Sequence, residues 1–177
     1  MRSNTKNLTL AAMFLAMGVA LPFLTGQIPQ IGSMLLPMHI PVFLCAFLCS
    51  WQYSACMAFV LPLLRSLVFS RPNMYPEAIS IAFELATYAL IAGYIYRRSK
   101  RQSVWAVYKA LIISMVAGRV IRCAVQMLLL GIKGSPISVA GVFTGVVITG
   151  IPGIIIQLLL IPAVMAAIDK YKANKKA

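Results

Sequence analysis

Apolar segments long enough to cross a membrane follow one another along almost the whole chain. Of the 177 residues, 61% are hydrophobic, whereas soluble domains are only about half apolar. A membrane-spanning helix needs roughly 20 apolar residues, so the chain has room for about six spans and for little else. The sequence therefore predicts an all-α integral membrane protein, in which residues 1–177 form a single compact bundle of six transmembrane helices.

Prolines, glycines and polar residues between the apolar segments give approximate bounds for the six spans. The long apolar segment 38–69 is divided in two because the polar residues 50–54 interrupt it, and Trp51 and Tyr53 suit a membrane interface. The fifth span is longer than a bilayer requires, which indicates a tilted helix. The predicted spans are 8–24, 38–50, 54–69, 78–96, 104–130 and 141–168.

The formal charge of +13 is distributed in a way that predicts membrane topology. Ten of the 16 Lys and Arg residues fall in three clusters beside apolar segments, at residues 2–6, 97–101 and 170–176. Basic residues flank the cytoplasmic ends of spans, so both termini and the 97–101 loop are predicted to be cytoplasmic. No basic face interleaves with exposed aromatic residues, and we therefore expect no nucleic-acid partner.

Polar side chains from several predicted spans fall in the outer half of the membrane. Ionisable residues in a lipid-spanning segment are costly and are kept for a partner or a ligand. With a rise of about 1.5 Å per residue, five of these side chains share this depth, and three more lie beside them or at the start of the second span. The first group is Arg65, Glu84, Arg119, Arg122 and Gln157; the second is Tyr88, Gln126 and His39.

The balance of charge in this group predicts an outward-facing pocket for a polar ligand, with an anion favoured. Three arginines against the single carboxylate of Glu84 leave an excess of positive charge, and guanidinium groups suit bidentate binding of carboxylate or phosphate. Two alternatives stay open. Arg65 and Glu84 can neutralise one another, and the only histidine, His39, can be a hydrogen-bonded structural residue instead of a ligand contact.

The pattern of reactive residues argues against an enzyme. The sequence has no carboxylate pair, no Ser-His-Asp set and no Cys-His pair in a catalytic arrangement. The four cysteines follow no metal-binding or redox spacing, and His39 has no second ligand nearby. We therefore expect no catalytic residue, no metal site and no cofactor in this chain.

Two further segments have a recognisable physical character. Ala12, Ala16 and Ala20 form a stripe of small residues along the first span, and such stripes let another helix approach closely. That helix is either one of this protein's own, which composition favours, or one from another chain. The apolar loop 26–37, interrupted by Pro29 and Pro37, is either a lid over a cavity or a static interfacial segment.

Taken in this order, these features resemble the substrate-binding S components of energy-coupling factor (ECF) vitamin transporters. The resemblance covers essentially the whole chain. It is carried by the six short spans, the alanine stripe in the first span, the proline-containing apolar loop after it, and the runs LLPMHIPVFLCAFLC, PLLRSLVF and FELATYALIAGYIYR.

The resemblance implies a subunit of a prokaryotic cell-membrane importer that binds a vitamin from outside. It implies that Ala12 and Ala16 dock on a separate transmembrane T component, which works with two cytoplasmic ATPases, and that residues 26–39 form the outer gate. It also implies that the pocket residues are Arg65, Glu84, Arg119, Arg122 and Gln157.

The substrate does not follow from the resemblance, because members of a fold line their pockets differently. Excess arginine favours a pantothenate-like anion, whereas pairing of Arg65 with Glu84 would leave a neutral ligand such as riboflavin or a pyridoxine-like compound. A different class of function is a stand-alone proton-coupled carrier that uses Glu84 as its titrating group.

Overall fold

The computed structural model describes residues 4–25, 37–99, 103–134 and 138–174, and every regular element within these ranges is helical. The predicted all-α architecture is confirmed. The helices are α1 (Asn4–Ala20, continued by a 3-10 turn, Leu21–Thr25), α2 (His39–Leu48), α3 (Trp51–Phe69), α4 (Ile79–Arg98), α5 (Val104–Ile132), α6 (Val139–Phe143) and α7 (Ile151–Asn174). A π-helical turn, Met74–Ala78, leads into α4, and another, Thr144–Ile148, follows α6.

Within the described ranges, five helical segments are long and apolar enough to cross a membrane. They are Asn4–Phe23, Trp51–Phe69, Met74–Arg98, Val104–Ile132 and Val139–Tyr171. The third predicted span begins earlier than expected, at Trp51, because only Cys49 and Ser50 separate α2 from α3. The sixth is interrupted by its π-helical turn and by Thr149 and Gly150.

Helix α2 is a buried helix of the core, shorter than the predicted second span 38–50. Its 10 residues extend about 15 Å, roughly half the thickness of the hydrocarbon layer. Residues 41–47 are all buried, so α2 is surrounded by protein on every side. The predicted loop at 26–37 lies outside the described residues except for Pro37, and its role as a lid stays a prediction.

Several chain segments meet at one end of the bundle, which we call the basic end. The Ser50 amide donates to Asn7 Oδ1 at 3.3 Å, and the Arg97 guanidinium donates to the Cys49 carbonyl oxygen. Asp169 in α7 interacts electrostatically with Tyr96 in α4. One end of the bundle therefore holds the start of α1, the α2–α3 turn and the ends of α4 and α7. The predicted even number of membrane crossings requires this arrangement. That this end is cytoplasmic stays a prediction.

Helix α4 is the centre of the bundle and packs against α2, α3 and α5. Its inward face carries small residues, and Ala82, Ala89 and Ala92 are fully buried. Small side chains let helix backbones approach closely, which is a main source of helix association in membranes. The backbones of α2 and α4 come close at Gly93, where an added Cβ would lie 3.1 Å from the carbonyl oxygen of Ala46.

The tight contact at Gly93 generates a prediction about stability. We expect Gly93→Val to lower the free energy of unfolding by about 1–3 kcal/mol, because the added methyl groups must push the α2 backbone away. Gly145→Val is the matched control, since a Cβ at Gly145 meets nothing within 4 Å. Thermal unfolding in detergent measures both variants. Equal melting temperatures for the two would contradict the described packing of α2 on α4.

Candidate functional site

Glu84 is a fully buried carboxylate in the second turn of α4, near the end of the bundle opposite the basic end. Its Oε2 lies 2.9 Å from Arg122 Nη1, and its Oε1 lies 3.3 Å from Arg119 Nη1. Both arginines belong to α5 and are three residues apart, so they share one helix face. A buried charge is stable only when it is paired. These ion pairs therefore join α4 to α5 inside the bundle.

Two aromatic side chains complete the surroundings of the carboxylate. The Tyr88 hydroxyl donates to Glu84 Oε1 at 2.6 Å, and His39 Nε2, from the first residue of α2, lies 3.9 Å from Oε2. The Tyr88 ring stacks on Phe43 with a centroid distance of 5.1 Å. We refer to Glu84 and its four surrounding residues together as the Glu84 cluster: His39, Glu84, Tyr88, Arg119 and Arg122.

His39 is buried at the start of α2 and lies against Glu84. Neither of its ring nitrogens makes a hydrogen bond within the described part of the chain, although the side chain is buried. The alternative of a hydrogen-bonded structural histidine stays open, because residues 26–36, which come shortly before His39, lie outside the described residues. Its position against Glu84 and beside the Tyr88 ring, with a centroid distance of 5.6 Å, places it in the cluster.

Two residues that sequence reasoning missed position the cluster. A Cβ at Gly118 would lie 2.2 Å from Tyr88 Cε1 and 3.1 Å from the Glu84 carbonyl oxygen, so only glycine allows α5 to approach α4 here. The Arg119 guanidinium also donates to the carbonyl oxygen of Val146, in the π-helical turn after α6. Gly118 was recognisable as a small residue directly before an intramembrane arginine, whereas a backbone carbonyl has no sequence signal.

Arg65 is buried but lies apart from the Glu84 cluster. Its side chain belongs to the last turns of α3, and the residue is 4% exposed. The ion pairs of Glu84 within the described residues are with Arg119, Arg122 and His39 and do not include Arg65. The guanidinium carbon of Arg65 lies 6.0 Å from the centroid of the Phe69 ring. The proposed mutual neutralisation of Arg65 and Glu84 is therefore absent.

Nine polar atoms on the predicted site residues are buried without a hydrogen-bond partner among the described residues. Leaving such an atom unpaired costs about 1–3 kcal/mol, so a group of them needs an explanation. The atoms are His39 Nδ1 and Nε2, Arg65 Nε and Nη1, Arg119 Nε and Nη2, Arg122 Nε, Gln126 Oε1 and Gln157 Nε2. Most are donors, which suits a ligand that is rich in acceptor oxygens.

The eight predicted site residues thus divide into two groups. Five form the Glu84 cluster, and the other three, Arg65, Gln126 and Gln157, have buried polar atoms outside that network. No group of three or more His, Cys, Asp or Glu side chains arranged to hold a metal ion occurs among the described residues. The arrangement offers guanidinium donors and amides but no nucleophile paired with a base.

The alanine stripe of α1 faces away from the rest of the bundle. Ala12, Ala16 and Ala20 are all exposed. The opposite face of the helix is the packed one, with Phe14 and Gly18 buried. Packing of the stripe against this protein's own helices, which composition favoured, is therefore not observed in the described structure.

The ion pairs of Glu84 generate a prediction. We expect Glu84→Gln to lower the free energy of unfolding by about 3–5 kcal/mol, because it leaves two buried guanidinium groups without their counter-charge while keeping the shape of the side chain. Glu77→Gln, at a partly exposed position before α4, is the matched control and should change stability by less than about 0.5 kcal/mol. Thermal or chemical unfolding in detergent measures both. A stable Glu84→Gln variant would contradict the pairing.

Comparison with known families identifies the chain. The model of the family described as "ECF transporter, substrate-specific component" matches residues 6–165, a range that includes the Glu84 cluster, Arg65 and the alanine stripe. Searches of curated proteins and of solved structures give no match. Members of the matched family are transport subunits and not enzymes, and membership implies substrate binding and association with the ECF module. The chain belongs to the family of ECF transporter substrate-specific components.

Proposed function

We propose that this chain captures a small molecule with an anionic group, such as pantothenate, from outside a prokaryotic cell and delivers it to an ECF module. The single observation that carries this proposal is the surplus of buried positive charge. Arg65 and Arg119 are buried, Arg122 is nearly so, and Glu84 is the only carboxylate among them. An anionic group on a ligand supplies the missing negative charge.

The geometry favours an anion over a neutral ligand. A neutral vitamin such as riboflavin or a pyridoxine-like compound fits a site in which Arg65 and Glu84 cancel one another. Glu84 is instead bound to Arg119 and Arg122, and Arg65 keeps two unpartnered donor nitrogens among the described residues. Guanidinium groups bind carboxylate and phosphate through charge-assisted hydrogen bonds, which are about twice as strong as neutral ones.

A stand-alone proton-coupled carrier is not favoured by any observation on the described residues. Such a carrier needs Glu84 to meet water alternately from the two sides of the membrane. The Glu84 side chain is 0% exposed and its two oxygens contact two guanidinium groups and the Tyr88 hydroxyl. Family membership also gives the chain a transport role that depends on partner subunits.

We propose further that α1 is the docking helix for the transmembrane T component, which works with two cytoplasmic ATPases. The outward face of α1 presents three exposed alanines at a spacing of four residues, and its inward face is packed on α2 and α3. Another helix can approach such a face closely without displacing any helix of this chain.

The ligand proposal is tested by binding to the detergent-purified chain. We expect pantothenate to bind about 10- to 150-fold more tightly than pantothenol, in which an alcohol replaces the carboxylate, because a charge-assisted hydrogen bond contributes about 1.5–3 kcal/mol. Isothermal titration measures both affinities, and native mass spectrometry identifies any compound that co-purifies. An uncharged co-purified compound, or equal affinities for the two probes, would exclude an anion-binding site.

The docking proposal is tested with leucine in place of alanine. We expect the double variant Ala12→Leu and Ala16→Leu to bind its ligand normally but to lose assembly with the ECF module, since bulky side chains hold the partner helix away. Ala163→Leu with Ala167→Leu on α7 is the matched control, because both residues are exposed and have the same spacing. Co-purification with the module measures assembly. Lost ligand binding with preserved assembly would contradict this role for α1.

A further inference from the structure

The three arginines near the opposite end of the bundle differ in how well their charges are compensated. Arg119 and Arg122 each have a carboxylate oxygen within 3.3 Å, and Arg119 also donates to a backbone carbonyl. Arg65 has no ion pair among the described residues, and its Nε and Nη1 are buried without a hydrogen-bond partner there. The uncompensated charge is therefore most concentrated at Arg65.

We propose that Arg65 is the residue that pairs with the anionic group of the ligand, whereas the charges of Arg119 and Arg122 are already compensated by Glu84. This inference rests on the proposed function and assigns its charge recognition to one side chain. The ligand class is a small molecule with one carboxylate or phosphate and additional hydroxyl or carbonyl oxygens.

The physical reason is that the energy gained when an anion binds beside an arginine depends on whether that arginine already has a counter-charge. A guanidinium that faces a buried carboxylate has recovered part of its lost hydration, whereas one without a counter-charge has not. A ligand anion therefore stabilises the complex more at Arg65 than at Arg122, whose contact with Glu84 is already 2.9 Å long. An anion beside Arg122 would also lie close to the Glu84 carboxylate and be repelled by it.

The position of Arg65 fits this role. It lies four residues before the last residue of α3, so about one helical turn separates it from the Ser70–Asn73 turn at the opposite end of the bundle. The Phe69 ring lies 6.0 Å from the guanidinium carbon, at the outer limit of a cation–π contact. Phe69 is itself in edge contact with Phe23 at a centroid distance of 4.9 Å. A ligand entering from this end therefore reaches the level of Arg65 within about one helical turn.

An anionic lipid headgroup offers the same phosphate chemistry, so the experiment must separate the two sources. The chain is purified in non-ionic detergent, washed until native mass spectrometry shows no bound lipid or metabolite, and compared with its Arg65→Met and Arg122→Met variants. Lys133→Met, at an exposed position at the end of α5, is the control for loss of one positive charge. Thermal unfolding is measured with and without pantothenate.

We expect bare Arg65→Met to melt above the bare wild type, because an uncompensated buried charge has been removed, and Arg122→Met to melt below it. Pantothenate should raise the melting temperature of the wild type and of Lys133→Met, while Arg65→Met should lose at least tenfold in affinity. Arg65→Lys should recover part of that loss, since it restores the charge without the planar fork.

Three results would overturn the inference while leaving the proposed function intact. The first is an Arg65→Met variant that melts below the wild type, which reveals a structural partner of Arg65. The second is an Arg65→Met variant whose affinity for pantothenate is within about twofold of that of the wild type. The third is a phospholipid retained by the unwashed wild type and absent from unwashed Arg65→Met. A wild type that binds neither pantothenate nor any co-purified anion overturns the proposed function itself.

Discussion

The structure depends on one carboxylate that is held away from water by positive charge. Glu84 is the only acidic residue within the interior of the described bundle, and it contacts side chains from two neighbouring helices, α2 and α5, and from its own. Removing water from a charge costs several kcal/mol, and only close, well-oriented partners offset that cost. The helices that carry those partners are therefore fixed relative to α4, both along the bundle axis and in rotation.

The same requirement explains features of the packing that have no polar atoms. Arg119 and Arg122 reach Glu84 only if α5 lies close to α4, and Gly118 makes this approach possible because a Cβ there would overlap the Tyr88 ring. His39 reaches Glu84 because α2 begins in the interior of the bundle and not at its surface. A short, fully buried helix is compatible with a membrane protein, since its polar first residue is surrounded by protein and not by lipid.

The number of helices, the end at which each helix terminates and the depth of the charged residues could be predicted from the sequence, because each depends only on position along the chain. Apolar length predicts helices and their number, and clusters of Lys and Arg predict which ends lie together. Depth along a span follows from the helical rise, so the shared level of Glu84, Arg119 and Arg122 was predictable. When α6 and α7 are counted together as the sixth predicted span, the number of helices agrees with the structure, and so does the common position of the basic ends.

What the sequence could not provide is the rotation of each helix about its own axis and the local breaks in helical geometry. The three alanines of α1 satisfy the same spacing whether they face inward or outward, and only the packing of Phe14 and Gly18 on the other face decides. The π-helical turn that carries Val146 likewise has no residue pattern from which it was predicted. The short length of α2 depends on where the chain leaves helical geometry after Leu48 and before His39.

Arg65 shows why this missing rotation matters for function. On antiparallel helices α3 and α4, Arg65 is four residues from the last residue of its helix and Glu84 is five residues from the first residue of its own, so depth alone makes them natural partners. Their side chains nevertheless belong to different surroundings, Arg65 with Phe69 and Glu84 with α5. A buried guanidinium and a buried carboxylate at the same depth can pair with each other or with other groups, provided that each charge has a partner. Glu84 finds its partners on α2, α4 and α5, whereas no ion-pair partner of Arg65 lies among the described residues, and we propose that the ligand supplies it.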